Sequence, residues 1–155
     1  MKKGIMVGSV LSIFFLSLIC FNYLSAQKAI SEEKTSTTTV EVTSRPKTVE
    51  VGDRAAVDWY VEVPDGQVTA ATTIYWGYES SPSALLFFDS PQAVGYPNHP
   101  GDYESGDFPL PSTFTVSITP DTVGMVYFRS YALVRGNHLW SEEKSFLVTP
   151  KTNEK

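Results

Sequence analysis

Cysteine is almost missing from this chain: 155 residues contain one, Cys20, inside an apolar run near the N-terminus. Beyond that run no internal disulfide can form, so a core must hold without staples, as about 100 residues can do. Histidine is nearly as scarce, with His99 and His138 alone. Two imidazoles and no further thiol leave a structural zinc site without ligands. Positive charge is short as well: 12 Lys and Arg face 17 Asp and Glu, a net −5. An acidic chain is poorly suited to nucleic acid or to an anionic membrane surface. No Asn-X-Ser/Thr triplet occurs, so N-glycosylation is not expected. Beyond Gln27 there is no sustained helical period, and no repeat at a fixed interval.

The opening of the chain has a clear layout. Met1-Lys2-Lys3 is basic, Gly4 to Tyr23 carries no charge, and small residues follow at Ser25-Ala26. A basic start, an apolar middle and a small-residue cleavage site predict a secretory signal peptide over residues 1–26. The competing reading is an uncleaved anchor, since about 20 apolar residues can just span a bilayer. Gly4, Gly8 and Asn22 weaken such a span, and Ile19 before Cys20 is too large for a lipid-attachment signal. Cleavage removes Lys2 and Lys3, leaving 10 bases against 17 acids, or 10 − 17 = −7. Residues 27–44 read as a Thr/Ser-rich tether whose Val40-Glu41-Val42 can pair as an edge strand. Residues 151–155 read as a polar tail.

Residues 45–150 show short β-patterned runs separated by turn chemistry. Over Arg54 to Val63, Ala55, Val57, Trp59, Val61 and Val63 share one face, with Ala56, Asp58, Tyr60 and Glu62 opposite. That period of two marks a half-buried strand, ended by Pro64-Asp65-Gly66. Thr72 to Tyr78 is β-branched and aromatic, and Ala84 to Phe88 is a short apolar run. Ser112 to Thr119 alternates with Phe114, Val116 and Ile118 inward, before a turn at Pro120-Asp121. Val126 to Val134 is apolar on both faces, which predicts a strand interior to a sheet. Arg135-Gly136-Asn137-His138 is a tight turn in which the Gly-Asn pair is the expected hairpin signal. Leu139-Trp140 and Lys144 to Thr149 complete a last strand, with a bulge or kink at Ser141-Glu142-Glu143-Lys144. The whole predicts an all-β, antiparallel sandwich of about seven strands.

These runs resemble a fibronectin type III domain, or a close immunoglobulin-like relative, over residues 45–150. Val57-Asp58-Trp59 followed by Pro64-Asp65-Gly66 is similar to the family's second strand with its core tryptophan. Ile74-Tyr75-Trp76-Gly77-Tyr78 resembles the third strand. Val126-Tyr127-Phe128-Arg129-Ser130-Tyr131-Ala132 is similar to the Tyr-Tyr-Val-Arg-Ala-Tyr-Ala pattern of bacterial members. The resemblance implies a fold, since its motifs are core and turn positions. Two departures stand out. Val126 falls where the family's corner tyrosine belongs, leaving that corner absent or taken over by Tyr127, and residues 89–111 are a long insertion.

That insertion holds Pro91, Pro97, Pro100, Pro109 and Pro111 with Tyr96, His99, Tyr103 and Phe108 among them. One reading makes it a recognition loop, with Tyr96, His99, Asp102, Tyr103 and Phe108 as binding residues for a protein or glycan. The other folds its aromatics back over an open sheet edge. Asp102, Glu104 and Asp107 resemble part of a calcium loop, but Ca²⁺ takes six to eight oxygens and a solvated acidic loop fits better. No cofactor or metal is expected. Ser and Asp are plentiful around the two histidines, but no nucleophile-elbow motif is present and no catalytic residue is assigned. Arg135-Gly136-Asn137 lacks the carboxylate of an Arg-Gly-Asp integrin motif. Of Trp59, Trp76 and Trp140, only Trp140 is expected near the surface. The expectation is therefore an exported, non-catalytic binding module, secreted or on the cell surface, touching a membrane only through an uncleaved N-terminus. A structural or envelope-associated subunit packing through its sandwich edges is the alternative.

Overall fold

The computed structural model describes residues 38–152, so the expected signal, most of the expected tether and the last three residues lie outside the described residues. Ten strands form within them: β1 (Thr39–Ser44), β2 (Thr48–Glu50), β3 (Ala55–Glu62), β4 (Val68–Thr69), β5 (Ala71–Gly77), β6 (Phe108–Pro109), β7 (Ser112–Ile118), β8 (Gly124–Val134), β9 (Asn137–Trp140) and β10 (Lys144–Thr149). One sheet runs β1-β3-β7. The other runs β2-β10-β8-β5, with β9 also paired to β8, and β4-β6 is a two-stranded ribbon. This is an all-β, immunoglobulin-like sandwich. Every pairing is antiparallel except β2 with β10, which is parallel.

Alternation sets which face is buried. Val57, Trp59 and Val61 of β3 are fully buried, and Phe114, Val116 and Ile118 of β7 lie beside them in the same sheet. Ile74, Val126, Phe128, Phe146 and Val148 meet them from the other sheet. Burying Trp59 also buries an indole N–H, which must find an acceptor. It donates to Thr72 Oγ1 at 2.8 Å, and that hydroxyl donates in turn to the Tyr131 carbonyl at 2.6 Å. A two-link hydrogen-bond chain thus crosses between the sheets.

Several boundaries differ from the sequence reading. The expected edge pairing of Val40-Glu41-Val42 is present as β1 and extends further, matching β3 from Thr39↔Glu62 onward. β2 went unread because three residues are too few to show a period. Ala84 to Phe88 forms no strand. The loop of the β8–β9 hairpin is Arg135-Gly136 rather than Gly-Asn, since Asn137 already pairs with Val134. Both loop residues have positive φ, +51° and +80°, as a two-residue type I′ turn demands.

The expected break in the last strand is a β-bulge. Trp140 opposes Tyr131 and Lys144 opposes Phe128, so four steps on one strand match three on the other. Ser141 fills the gap. Its N–H donates to the Ser130 carbonyl at 2.9 Å, while its hydroxyl accepts the Ser130 N–H at 2.9 Å. Among the described residues neither Val126 nor Tyr127 ties the turn before β8. Instead Tyr78, just past β5, donates to Asp121 Oδ1 at 2.7 Å and accepts the N–H groups of Asp121 and Thr122.

Two substitutions should stabilise the sandwich. Arg135→Asn places a residue tolerant of positive φ in the hairpin and should add about 0.5–1 kcal/mol. The buried Ser130 hydroxyl has no hydrogen-bond partner, so Ser130→Ala should add about 1 kcal/mol. Urea unfolding at fixed pH measures both, and a loss of stability in either would contradict the geometry described.

Candidate functional site

The segment between β5 and β7 folds over the outer face and free edge of the second sheet. Strand alternation puts Tyr75 of β5, Arg129 and Tyr131 of β8, and His138 and Trp140 of β9 on that face. Their rings form a layer. Tyr131 lies 4.7 Å from Trp140 between centroids and stacks on His138 at 5.7 Å, while Tyr75 contacts Tyr131 at 5.6 Å and His99 at 5.1 Å. The Tyr131 hydroxyl is hydrogen-bonded to His138 Nδ1 at 2.7 Å, and burial, followed by the neighbouring Tyr75, pushes its pKa up to about 12.

The returning loop is then fixed by backbone bonds along β5. Trp76 and Asn98 exchange a bridge, Thr72 N–H donates to the Tyr103 carbonyl, and Gly106 N–H donates to the Ala70 carbonyl. Gly77 is required here: a Cβ would lie 2.9 Å from Pro97 Cδ.

Arg129 organises the outgoing half. Its guanidinium is buried yet donates to the carbonyls of Ser141 (2.9 Å), Ser81 (2.9 Å) and Ser83 (3.0 Å), joining the bulge to the loop. Glu143 completes the knot by accepting Ser80 Oγ, the Ser81 N–H and the Tyr96 hydroxyl. Burial alone would raise the Glu143 carboxyl. The bonds from Ser80, Tyr96 and Ser81, with the Arg129 charge, outweigh it and hold the group below the usual carboxylate range. Burial, with the Glu143 carboxylate adding to it, pushes the Tyr96 phenol up to about 12.

The five expected binding residues are therefore not brought together as a displayed surface. Tyr96 is buried in the Arg129 knot. Tyr103 and Phe108 are half-buried, with rings against Phe114, and Tyr103 also meets Trp59 edge-on. His99 is exposed, with Nδ1 2.8 Å from Glu104 Oε1, and Asp102 is exposed. The loop follows the edge-covering reading: its backbone bonds along β5 close that edge, while Tyr96, Tyr103 and Phe108 turn inward. It also carries a short helix, α1 (Pro91–Val94), ended by Gly95 at φ +87°. Among the described residues no three His, Cys, Asp or Glu gather to hold a metal, and neither imidazole is hydrogen-bonded to a serine hydroxyl.

What the sequence reading missed lies just before that loop. Leu86, Phe87 and Phe88 are 52%, 62% and 62% exposed. They sit on a turn closed by Asp89, whose N–H donates to the Leu86 carbonyl at 3.0 Å and whose Oδ2 accepts the Leu86 N–H at 2.7 Å. The turn is clamped to β9: the His138 N–H donates to the Phe87 carbonyl at 2.8 Å and Trp140 Nε1 to the Asp89 carbonyl at 2.9 Å. The aromatic layer is thus a pedestal for an apolar tip. The available signal was Leu-Leu-Phe-Phe followed by Asp, an apolar run without alternation and ended by a turn residue.

The Arg129 knot has a pH signature. The folded Glu143 carboxyl titrates below its unfolded value of 4.5, so its stabilisation is full above about pH 4.5 and is lost as pH falls through the folded value. Glu143→Gln should cost about 1–2 kcal/mol at neutral pH, a range that discounts for partial exposure, and should flatten the acid limb. Unfolding free energies from pH 3 to 7 check this; parallel curves for the two proteins would refute it.

No protein family matches this chain, and no curated protein does. Among solved structures the chain is similar to the PKD domain of an M14-like peptidase from Thermoplasmatales archaeon SCGC AB-540-F20, at 15% identity and a TM-score of 0.48, over 76% of this chain and 100% of that one. It is also similar to the superoxide reductase (neelaredoxin) of Ignicoccus hospitalis, at 16% identity and a TM-score of 0.41, over 75% and 85% of the two chains. These likenesses carry no activity over to this chain.

Proposed function

We propose that this chain is an exported, non-catalytic interaction module that binds a protein partner through the Leu86-Phe87-Phe88 tip. Its export is supported by the basic, apolar and small-residue layout of residues 1–26. Within the immunoglobulin-like class, the fibronectin III-like reading is supported by Trp59 on β3 and by the Val126–Ala132 run on β8.

The observation that carries the reading is three large apolar side chains held out on a backbone already fixed by four hydrogen bonds. Such a tip is costly to leave in water and cheap to order on binding. Covering the exposed parts of the three side chains contributes about 1 kcal/mol each. Asp89 is spent on closing the turn, so the tip offers apolar area rather than the hydrogen-bonding groups that orient a sugar. A protein pocket is the matching surface.

The test replaces all three residues with Ser. Solvent-exposed positions should change stability by no more than about 0.5 kcal/mol. A photo-crosslinking amino acid at position 88 should capture a discrete extracellular protein, and affinity for that protein should fall by about tenfold or more in the triple variant. Undiminished affinity in the triple variant, or glycan binding that the variant loses while no protein is captured, would overturn the reading.

A further inference from the structure

A sheet edge that is left bare invites another strand, and nearly every edge here is blunted. β1 carries Glu41 and shifts register between Val42 and Ser44. β2 has three residues and β9 four. The outer His138 N–H of β9 is taken by the Phe87 carbonyl, and β5 is sealed by Asn98 and Tyr103.

β7 differs on every count. It is seven residues long, in unbroken register with β3, with no charge, proline or bulge. It ends its sheet, and among the described residues no backbone hydrogen bond reaches it from the side away from β3. Thr113, Thr115 and Ser117 stand exposed along it. Beside it runs an open groove of about 400 Å³ lined by Arg54, Asp102, Thr115, Val116, Ser117 and Thr119.

We infer that β7 is an assembly edge whose occupant is β7 of a second copy, paired antiparallel about a two-fold axis at Thr115. The two three-stranded sheets then join as one of six strands. Charge selects this occupant. The chain carries a net −5, a long-range repulsion between two copies, whereas β7 is neutral and its groove holds one charge of each sign, Arg54 and Asp102. A strand opposing itself about a two-fold axis meets no like charge, and Thr113 faces Ser117 of the second copy, a pairing that cross-strand hydroxyls favour. The inference is independent of the Leu86-Phe87-Phe88 tip, which lies before α1 and off this sheet.

Sedimentation velocity of the full chain over about a hundredfold range of concentration tests it. The wild type should form a concentration-dependent dimer. Thr113→Lys with Ser117→Lys sets lysines against lysines and should weaken association by about tenfold or more. Thr113→Lys with Ser117→Glu sets each lysine against a glutamate and should restore it. Near-UV circular dichroism confirms that both variants keep the native fold. A wild type that stays monomeric, a double-lysine variant that associates as the wild type does, or a Lys/Glu variant as weak as the double-lysine one would each overturn the inference.

Discussion

The arrangement of the outer face rests on one buried cation. Arg129 points away from the core of the sandwich, where a long charged side chain would ordinarily reach water, but the loop after β5 covers it. A covered guanidinium must be satisfied. Three backbone carbonyls, from Ser81, Ser83 and Ser141, do this, and Glu143 supplies a nearby negative charge. Those carbonyls come from two different segments, so meeting the needs of Arg129 fixes the loop and the bulge together. Its Nε remains without a partner, so the satisfaction is incomplete.

The two faces of β8 obey different chemistry. Toward the core, Val126, Phe128, Ala132 and Val134 are apolar, and the polar link is the Trp59–Thr72–Tyr131 hydrogen-bond chain. Toward the outside, Arg129 and Tyr131 are buried because aromatic rings and a loop lie over them. A strand apolar on both faces suggested a place inside a sheet, and β8 does lie between β10 and β5. Its outer cover is not another layer of strands, however, but a loop held by a charge and a stack of rings.

Edges and tips follow from this. By sealing β5, the loop spends Tyr96, Tyr103 and Phe108 on packing, which removes them from the surface on which a partner could meet them. The clamp to β9 then leaves Leu86, Phe87 and Phe88 outside. Apolar exposure is thus moved rather than abolished, and the first sheet keeps one uncovered edge at β7. The proposed recognition at the tip and the inferred assembly at β7 would use separate parts of one sandwich.

Much of this was legible in the residues alone. Period-two alternation fixed the inward faces of β3 and β7, because each strand there packs against a single core. The length and two-sided apolarity of β8 marked it as interior, and the charged break before Lys144 marked the bulge. The candidate site was not legible in that way. Whether an aromatic in a long loop is displayed or buried depends on what lies across from it: Tyr96 is held by Glu143 and Tyr103 by Trp59, residues far away along the chain. Leu86 to Phe88, in a short apolar run with no alternation to place it, lies at the surface because β9 took the turn's backbone and left its side chains outside. Local periodicity and turn chemistry are properties of neighbours along the chain, so the layered β architecture could be read from residues alone. Which apolar residues meet water could not, because that choice is made by hydrogen bonds and packing between segments that no local pattern connects.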